Sequence, residues 1–260
     1  MSQSTGEKQV VVRADPDTLA QSVATRLLSR IAKRVVERKL VHVSLTGGSM
    51  GGRVLSAVAR HPRRSEIDWS LVHFWWSDER FVPRGSADRN DVDAFAALFD
   101  LIDIPAGNIH TMAGSDDGVD LDTAAEAYAA ELARFADPAV GAWPSFDVCF
   151  LGVGPDAHIA SLFPDRPEIT VTDRATLPVR ESPKPPPERI TMTRPVINSS
   201  KRVWMVMAGP DKASALGLAL AGASYQSVPA AGAKGRKRTV FFVDEAAAAK
   251  VPPELIDSDY

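Results

Sequence analysis

Apolar residues along this chain keep two rhythms in turn, one helical and one extended. Val10 to Val12 form a brief apolar run, after which Asp15 and Pro16 open a helix that the spacing of Leu19, Val23, Leu27, Ile31 and Val35 carries onward. Leu40 to Leu45 reads as a strand that changes abruptly into TGGSMGG, with Ser49 expected to cap a helix reaching about Arg60. Trp69 to Trp76 is the next strand, and Asn90 to Phe99 and Asp120 to Phe135 are helical by spacing. Phe146 to Leu151 is short, apolar and rich in strand formers, and it stops at glycines, which predicts a buried strand.

Beyond it the chain is extended around Thr170 to Val179, and the prolines of SPKPPPE favour an open polyproline connector. Ile190 to Thr193 and Val203 to Met207 read as strands, Gly209 and Asp211 open a helix through Leu220, and a strand at Thr239 to Val243 precedes an alanine-rich helix. Strands alternating with helices predict an α/β fold with a mainly parallel sheet covered by helices on both faces. No internal repeat or long linker divides the chain, so one catalytic domain over residues 1–260 is expected, with residues 1–9 as a disordered tail.

The 30 Lys and Arg against 33 Asp and Glu leave a net charge of -3, which gives no electrostatic case for nucleic acid or an anionic membrane. Lys234, Arg236, Lys237 and Arg238 are the densest basic cluster, but without interleaved aromatics they read as a solvated loop. The single cysteine, Cys149, falls inside a predicted strand, so intrachain disulfides and cysteine-based metal sites are excluded. The polar start MSQSTGEKQ and the absence of any long apolar run lead to the expectation of a cytoplasmic protein.

Chemistry gathers where strands end. After Phe146 to Leu151, Gly152 and Gly154 let the backbone turn, Pro155 stiffens the turn, and Asp156 and His158 arrive at a carboxyl edge, where open α/β sheets bind ligands. An imidazole, with an ordinary pKa near 6.5, can take a proton near neutral pH, and Asp156 can orient it, cap a following helix, or do both. His42 and His73 lie within strands, and His61 and His110 near element ends; none has comparable surroundings.

Thr46, Gly47, Gly48 and Ser49 form a strand-to-helix turn able to cradle a phosphate, although a tight connection needing glycine explains it equally. Arg53 and Val54 stand where a nucleotide-binding loop needs lysine and a hydroxyl, so a small phosphorylated ligand fits better than ATP. GVGPDA, with Asp173 beyond it, matches a loose dinucleotide fingerprint, but Pro155 and Pro164 leave room only for a very short helix. In SDERFVP, Asp78, Glu79 and Arg80 follow a strand; Arg80 can stabilise an oxyanion, while a solvated charge cluster is the plainer reading. Arg189 and Lys212 are further cations able to converge on a phosphate.

Taken in order and spacing, TGGS, SDERFVP, FDVCFLGVGPDAHIASLFP, PPPERITMT and GPDKASAL resemble the motifs of the 6-phosphogluconolactonase family over nearly the whole chain. The resemblance implies a fold similar to the glucosamine-6-phosphate deaminase and ribose-5-phosphate isomerase group, with no metal and no cofactor. The implied activity is hydrolysis of 6-phospho-D-glucono-1,5-lactone in the oxidative pentose phosphate pathway, with a sugar-phosphate lactone as the small-molecule partner and a monomer or homodimer as the working form. On this reading His158 is the general base, Asp156 orients it and Arg80 steadies the tetrahedral intermediate. Thr46, Gly47, Gly48, Ser49, Asp78, Arg189 and Lys212 hold the substrate and its phosphate.

The chain departs from the family pattern at three points: Ala157 replaces the glycine of GPDGH, GGSMGG replaces GGSTP, and Arg89 with Asn90 replaces a Ser-Asn pair. Two other readings stay open, a deaminase or isomerase of an amino sugar phosphate and a non-enzymatic sugar-phosphate sensor. Deaminases run toward FNEP and DEY where this chain has SLFP and DER, and sensors carry a DNA-binding segment ahead, where only about ten residues precede the first strand.

Overall fold

Asp15 starts the first helix as its sequence context predicts. Its carboxylate accepts the backbone N–H groups of Asp17 and Thr18 at 2.9 and 2.8 Å, Pro16 sits in the first turn, and the buried stripe from Leu19 to Val35 faces the sheet. The computed structural model describes residues 8–257. Residues 1–7 of the expected tail lie outside them, while Lys8 and Gln9 already belong to the first strand.

Nine strands and eight α-helices are defined among the described residues. In chain order they are β1 (Lys8–Arg13), α1 (Pro16–Val36), β2 (Val41–Leu45), α2 (Gly48–Arg60), β3 (Val72–Trp76), β4 (Asp78–Arg80), α3 (Asn90–Ala97), α4 (Leu121–Ala133) and β5 (Val148–Leu151). Then follow β6 (Thr176–Val179), β7 (Arg189–Met192), α5 (Arg194–Asn198), β8 (Arg202–Met207), α6 (Ala213–Leu220), α7 (Pro229–Gly232), β9 (Arg238–Asp244) and α8 (Glu245–Ala248). Six strands make one sheet in the order β1-β9-β8-β5-β2-β3, and every pairing in it is parallel. The strands β2, β3 and β5 are buried along their whole length, as strands covered on both faces must be.

The sheet order sets where a ligand can bind. From β2 the chain crosses outward to β3, whereas from β5 it crosses the other way to β8. The reversal leaves a crevice at the carboxyl ends of β2 and β5, the topological switch point of an open α/β sheet.

A second sheet, absent from the sequence reading, lies beside this crevice. It is antiparallel, in the order β4-β7-β6, with Arg80 opposite Arg189. Several expected boundaries also move. Leu71 still lies in a 3-10 turn, Trp69–Leu71, and β3 begins one residue later. Gly47, not Ser49, occupies the N-cap of α2, and a 3-10 turn over Pro210–Lys212 precedes α6. No helix follows β5: Ala157 and Ala160 have φ of 66° and 48°, left-handed values that break helical winding, and isolated bridges join Val153 to Ile159 and Ile159 to Leu162. The dinucleotide reading fails here, because there is no helix N-terminus to receive a pyrophosphate. No helix among the described residues is long and apolar enough to cross a membrane.

Candidate active site

The ends of β2 and β5 are tied together by a single side chain. Thr46 Oγ1 accepts the N–H of Gly152 at 3.0 Å, so the glycine turn after β2 and the histidine loop after β5 share one wall of the crevice. A Cβ at Gly47 would lie 1.7 Å from Asn90 Oδ1, so a side chain there would force the Asn90 amide to shift. Asn90 in turn donates to the Asp78 carbonyl at 3.0 Å, which brings the start of α3 and strand β4 to the same place.

Beyond Gly152 the loop closes on itself. Ala157 N–H donates to the Gly154 carbonyl at 2.9 Å and Gly154 N–H to the His158 carbonyl at 3.0 Å, turning the His158 ring back over Gly154. His158 Nδ1 lies 2.6 Å from Asp156 Oδ1. Burial pushes the Asp156 carboxyl up, but the hydrogen bond and charge of His158 and then those of Lys184 outweigh it and hold the group well below the usual carboxylate range. An ionised carboxylate only accepts, so Nδ1 is the nitrogen that donates to Asp156, and a ring holding one proton keeps its lone pair on Nε2. The ring also packs against Phe163 in a tilted arrangement, centroids 4.7 Å apart.

The charged run after β3 is not a solvated cluster. Asp78 and Glu79 are 5% and 1% exposed. Asp78 Oδ2 accepts from Ser161 Oγ at 2.7 Å. Glu79 accepts the backbone N–H groups of Arg80, Asn90 and Asp91 at 2.8, 2.8 and 2.9 Å, thereby anchoring α3 onto β4. Burial pushes its carboxyl up to about 7, helped by the charge of Asp91 and opposed by the Asn90 amide, by Arg89 and by the Arg80 amide. Arg80 gives one N–H to the Asp88 carbonyl, and its buried Nε has no hydrogen-bond partner among the described residues. The departure at Arg89 has a structural reason: the side chain is fully buried, paired with Asp91 at 2.6 Å, and donates to the carbonyls of Met112 and Ala113.

A cavity of about 280 Å³ collects these groups. Thr46, Gly47, Gly48, Asp78, Arg80, His158, Arg189 and Lys212 all line it, and Asp156 stands behind His158. Ser49 does not; it lines a broader neighbouring groove of about 710 Å³ that shares Gly48, Arg80 and Asn90 but holds no imidazole. Arg189 is in the wall, yet its donors are engaged on protein: Nε on the Pro186 carbonyl, one terminal nitrogen on those of Lys184 and Pro185, and the other 4.0 Å from Asp78. Lys212 pairs with Asp211 at 3.2 Å and also lines the cavity.

Lys184, Asn90 and Ser161 were not among the site residues expected from sequence. Lys184 lies in the proline run read as a connector, and only the order SPKPPPE ahead of Arg189 hints that the run folds back. Among the described residues no group of three or more His, Cys, Asp or Glu side chains is arranged to hold a metal ion.

An open parallel sheet carrying an imidazole-carboxylate pair and several cations at its switch point defines a class of α/β proteins that handle small anionic molecules. Within that class the chain belongs to the glucosamine-6-phosphate isomerase/6-phosphogluconolactonase family, whose model matches residues 14–242. It is 46% identical over 250 residues to the 6-phosphogluconolactonase of Streptomyces coelicolor, covering 95% of this chain and 96% of that one. The crystal structure of 6-phosphogluconolactonase from Thermotoga maritima superposes with a TM-score of 0.79 at 27% identity, over 92% of this chain and all of the other. A monomeric glucosamine-6-phosphate deaminase shares the fold, with a TM-score of 0.75 at 17% identity over 93% of this chain and 99% of that one.

Proposed function

We propose that this chain is a 6-phosphogluconolactonase, hydrolysing 6-phospho-D-glucono-1,5-lactone to 6-phospho-D-gluconate. The observation that carries the reading is an Asp156-oriented imidazole in the same small cavity as Arg80, Lys212 and the glycine turn that opens α2. His158 Nε2 takes a proton from water as the water oxygen bonds to C1 of the lactone. The carbonyl electron pair moves onto oxygen, and the resulting tetrahedral oxyanion is met by the Arg80 guanidinium, which lines the same cavity. Collapse breaks the bond from C1 to the ring oxygen, and imidazolium returns its proton to that oxygen as the leaving alcohol.

The phosphate is held away from the reacting carbon. The first turn of α2 has no side-chain cap, so its N–H groups beside Gly47 and Gly48 are open to an anion, and Lys212 adds a positive charge. Binding energy realised there positions C1 near the imidazole. Thr46, Asp78 and Arg189 shape the wall; Arg189 acts mainly through the loop carbonyls it holds. Proton transfer by a neutral imidazole needs no metal, and a chelator leaves the rate unchanged on this reading. The enzyme is proposed to work in the cytoplasm as a monomer or homodimer.

The test uses freshly generated lactone, with acid release followed above the spontaneous opening of the substrate. Turnover well above that background, with no ammonia released from glucosamine 6-phosphate, is the expected result. Tight binding of 6-phosphogluconate without turnover would overturn the reading in favour of a sensor.

A further inference from the structure

The proline run between β6 and β7 carries a cation into the catalytic pair. Lys184 Nζ lies 3.1 Å from Asp156 Oδ1 and 3.2 Å from His158 Nδ1. The lysine is not there by the drift of a surface loop. Arg189, itself 4% exposed, donates to the carbonyls of Lys184, Pro185 and Pro186 at 3.0, 3.1 and 3.2 Å. Ser182 N–H closes the run by donating to the Pro187 carbonyl at 2.9 Å, and Lys184 N–H reaches back to Ser182 Oγ at 3.3 Å.

We infer that Lys184 is a positioning residue of the hydrolysis proposed above: it clamps the Asp156 carboxylate and keeps the His158 imidazole in its proton-accepting form. The inference rests on the lactonase reading and extends it to a residue that lines the same cavity and acts through Asp156. An ammonium has only donors, and His158 Nδ1 already gives its proton to Asp156, so Lys184 bonds to the carboxylate and meets the ring only through its charge. A carboxylate 2.6 Å from an imidazole, left to itself, favours imidazolium, which cannot accept a proton from water. The adjacent ammonium opposes that preference while adding a second hydrogen bond that fixes the carboxylate.

Other charged groups share the cavity with the ring. Asp78, Arg80 and Lys212 line the same cavity on β4 and before α6, and the Arg189 guanidinium lies 5.8 Å from the Phe163 ring against which His158 packs. Within this set Lys184 is the cation hydrogen-bonded to the pair.

The experiment is the pH profile of kcat/KM for the full-length enzyme and for Lys184→Met and Lys184→Arg, with fresh lactone. Lys184→Met is expected to move the acid limb to higher pH by about one unit, lowering kcat at neutral pH with KM nearly unchanged and approaching the parent rate in alkali. Lys184→Arg, which keeps the charge, is expected to return the limb most of the way. If the methionine variant is poorly folded by circular dichroism, Lys184→Gln supplies the same readout. A limb that stays in place while activity falls equally at every pH would mean a merely structural lysine and would sink the inference. A raised KM with kcat retained would sink it too, by making Lys184 a phosphate ligand. An inactive parent enzyme refutes the lactonase reading itself, so the two failures are distinguishable.

Discussion

Gly154 and the His158 imidazole contend for the same space: a Cβ added to Gly154 would stand 2.1 Å from His158 Nδ1 and 2.3 Å from Asp156 Oδ1. The absence of a side chain at 154 is therefore what allows the ring and the carboxylate to meet.

Gly154→Ala is expected to displace both groups rather than unfold the chain, because the obstructing atoms are side-chain ends that can swing aside. A reacting group misplaced by about 1 Å can cost on the order of a hundredfold in rate. The measured outcome should be a kcat lowered by roughly that factor, with the circular dichroism spectrum retained. Full activity in this variant would show that the pair seen between Asp156 and His158 is not the working arrangement.

Lys212 and Ser49 separate along the boundary between the two cavities. Lys212 shares the lining with His158, whereas Ser49 faces the adjoining groove. Lys212→Ala is expected to raise KM severalfold with kcat nearly kept, as loss of a uniform binding contact does, and Ser49→Ala to alter neither much. Steady-state kinetics on the two variants decide the point; a larger effect at Ser49 would move the phosphate into the broader groove.

Much of this site was legible from residue order, and what was not has a common cause. The turn after β5 announces itself because glycines, a proline and an imidazole follow a buried apolar strand. The β4-β7-β6 sheet does not, because β4 is only Asp78–Arg80, three charged residues whose burial depends on amides from α3 and on Ser161. Lys184 was hidden for the same reason: what bends the proline run toward His158 is Arg189, which presents its guanidinium to three carbonyls from the next strand. Serine is the better helix cap by intrinsic preference, yet the cap of α2 falls on Gly47, where the Asn90 amide occupies the place of a Cβ. Local pattern reveals elements; contacts between distant elements decide which polar groups are buried.

Ala157 offers a test of stability apart from catalysis. Its φ of 66° is left-handed, a conformation costing a residue with a Cβ about 1 kcal/mol, and its carbonyl is pinned by the Ala230 N–H at 3.0 Å. Ala157→Gly is expected to raise stability by ~0.5 kcal/mol, part of the relief being offset by lost Cβ burial and by greater freedom of the unfolded chain. Urea unfolding monitored by tryptophan fluorescence should show a slightly higher midpoint with kcat preserved.

Acid should weaken the fold through a histidine stack on the far side of β2 and β3. His42 and His73 stack at 5.1 Å, His73 Nδ1 meets His110 Nε2 at 2.9 Å, and Trp75 Nε1 donates to His42 Nδ1 at 3.2 Å. Burial, then the charge of neighbouring His73 and His110, lowers His42 to about 3; burial, then His110, lowers His73 to about 4; burial lowers His110 as well. A histidine whose folded pKa is depressed contributes fully above its unfolded value near 6.5, and its share is lost as pH falls below that toward the folded value. Glu79, raised to about 7, works the other way: the folded state holds its proton between pH 7 and the unfolded value, so this carboxyl adds stability as pH falls through that window. Three histidines against one carboxyl leave a net loss between about pH 6.5 and 5. The urea midpoint should therefore be lower at pH 5 than at pH 7.5, His73→Gln should flatten the difference, and Glu79→Gln should steepen it. Equal midpoints in the parent protein would mean that the stack takes up protons without opening.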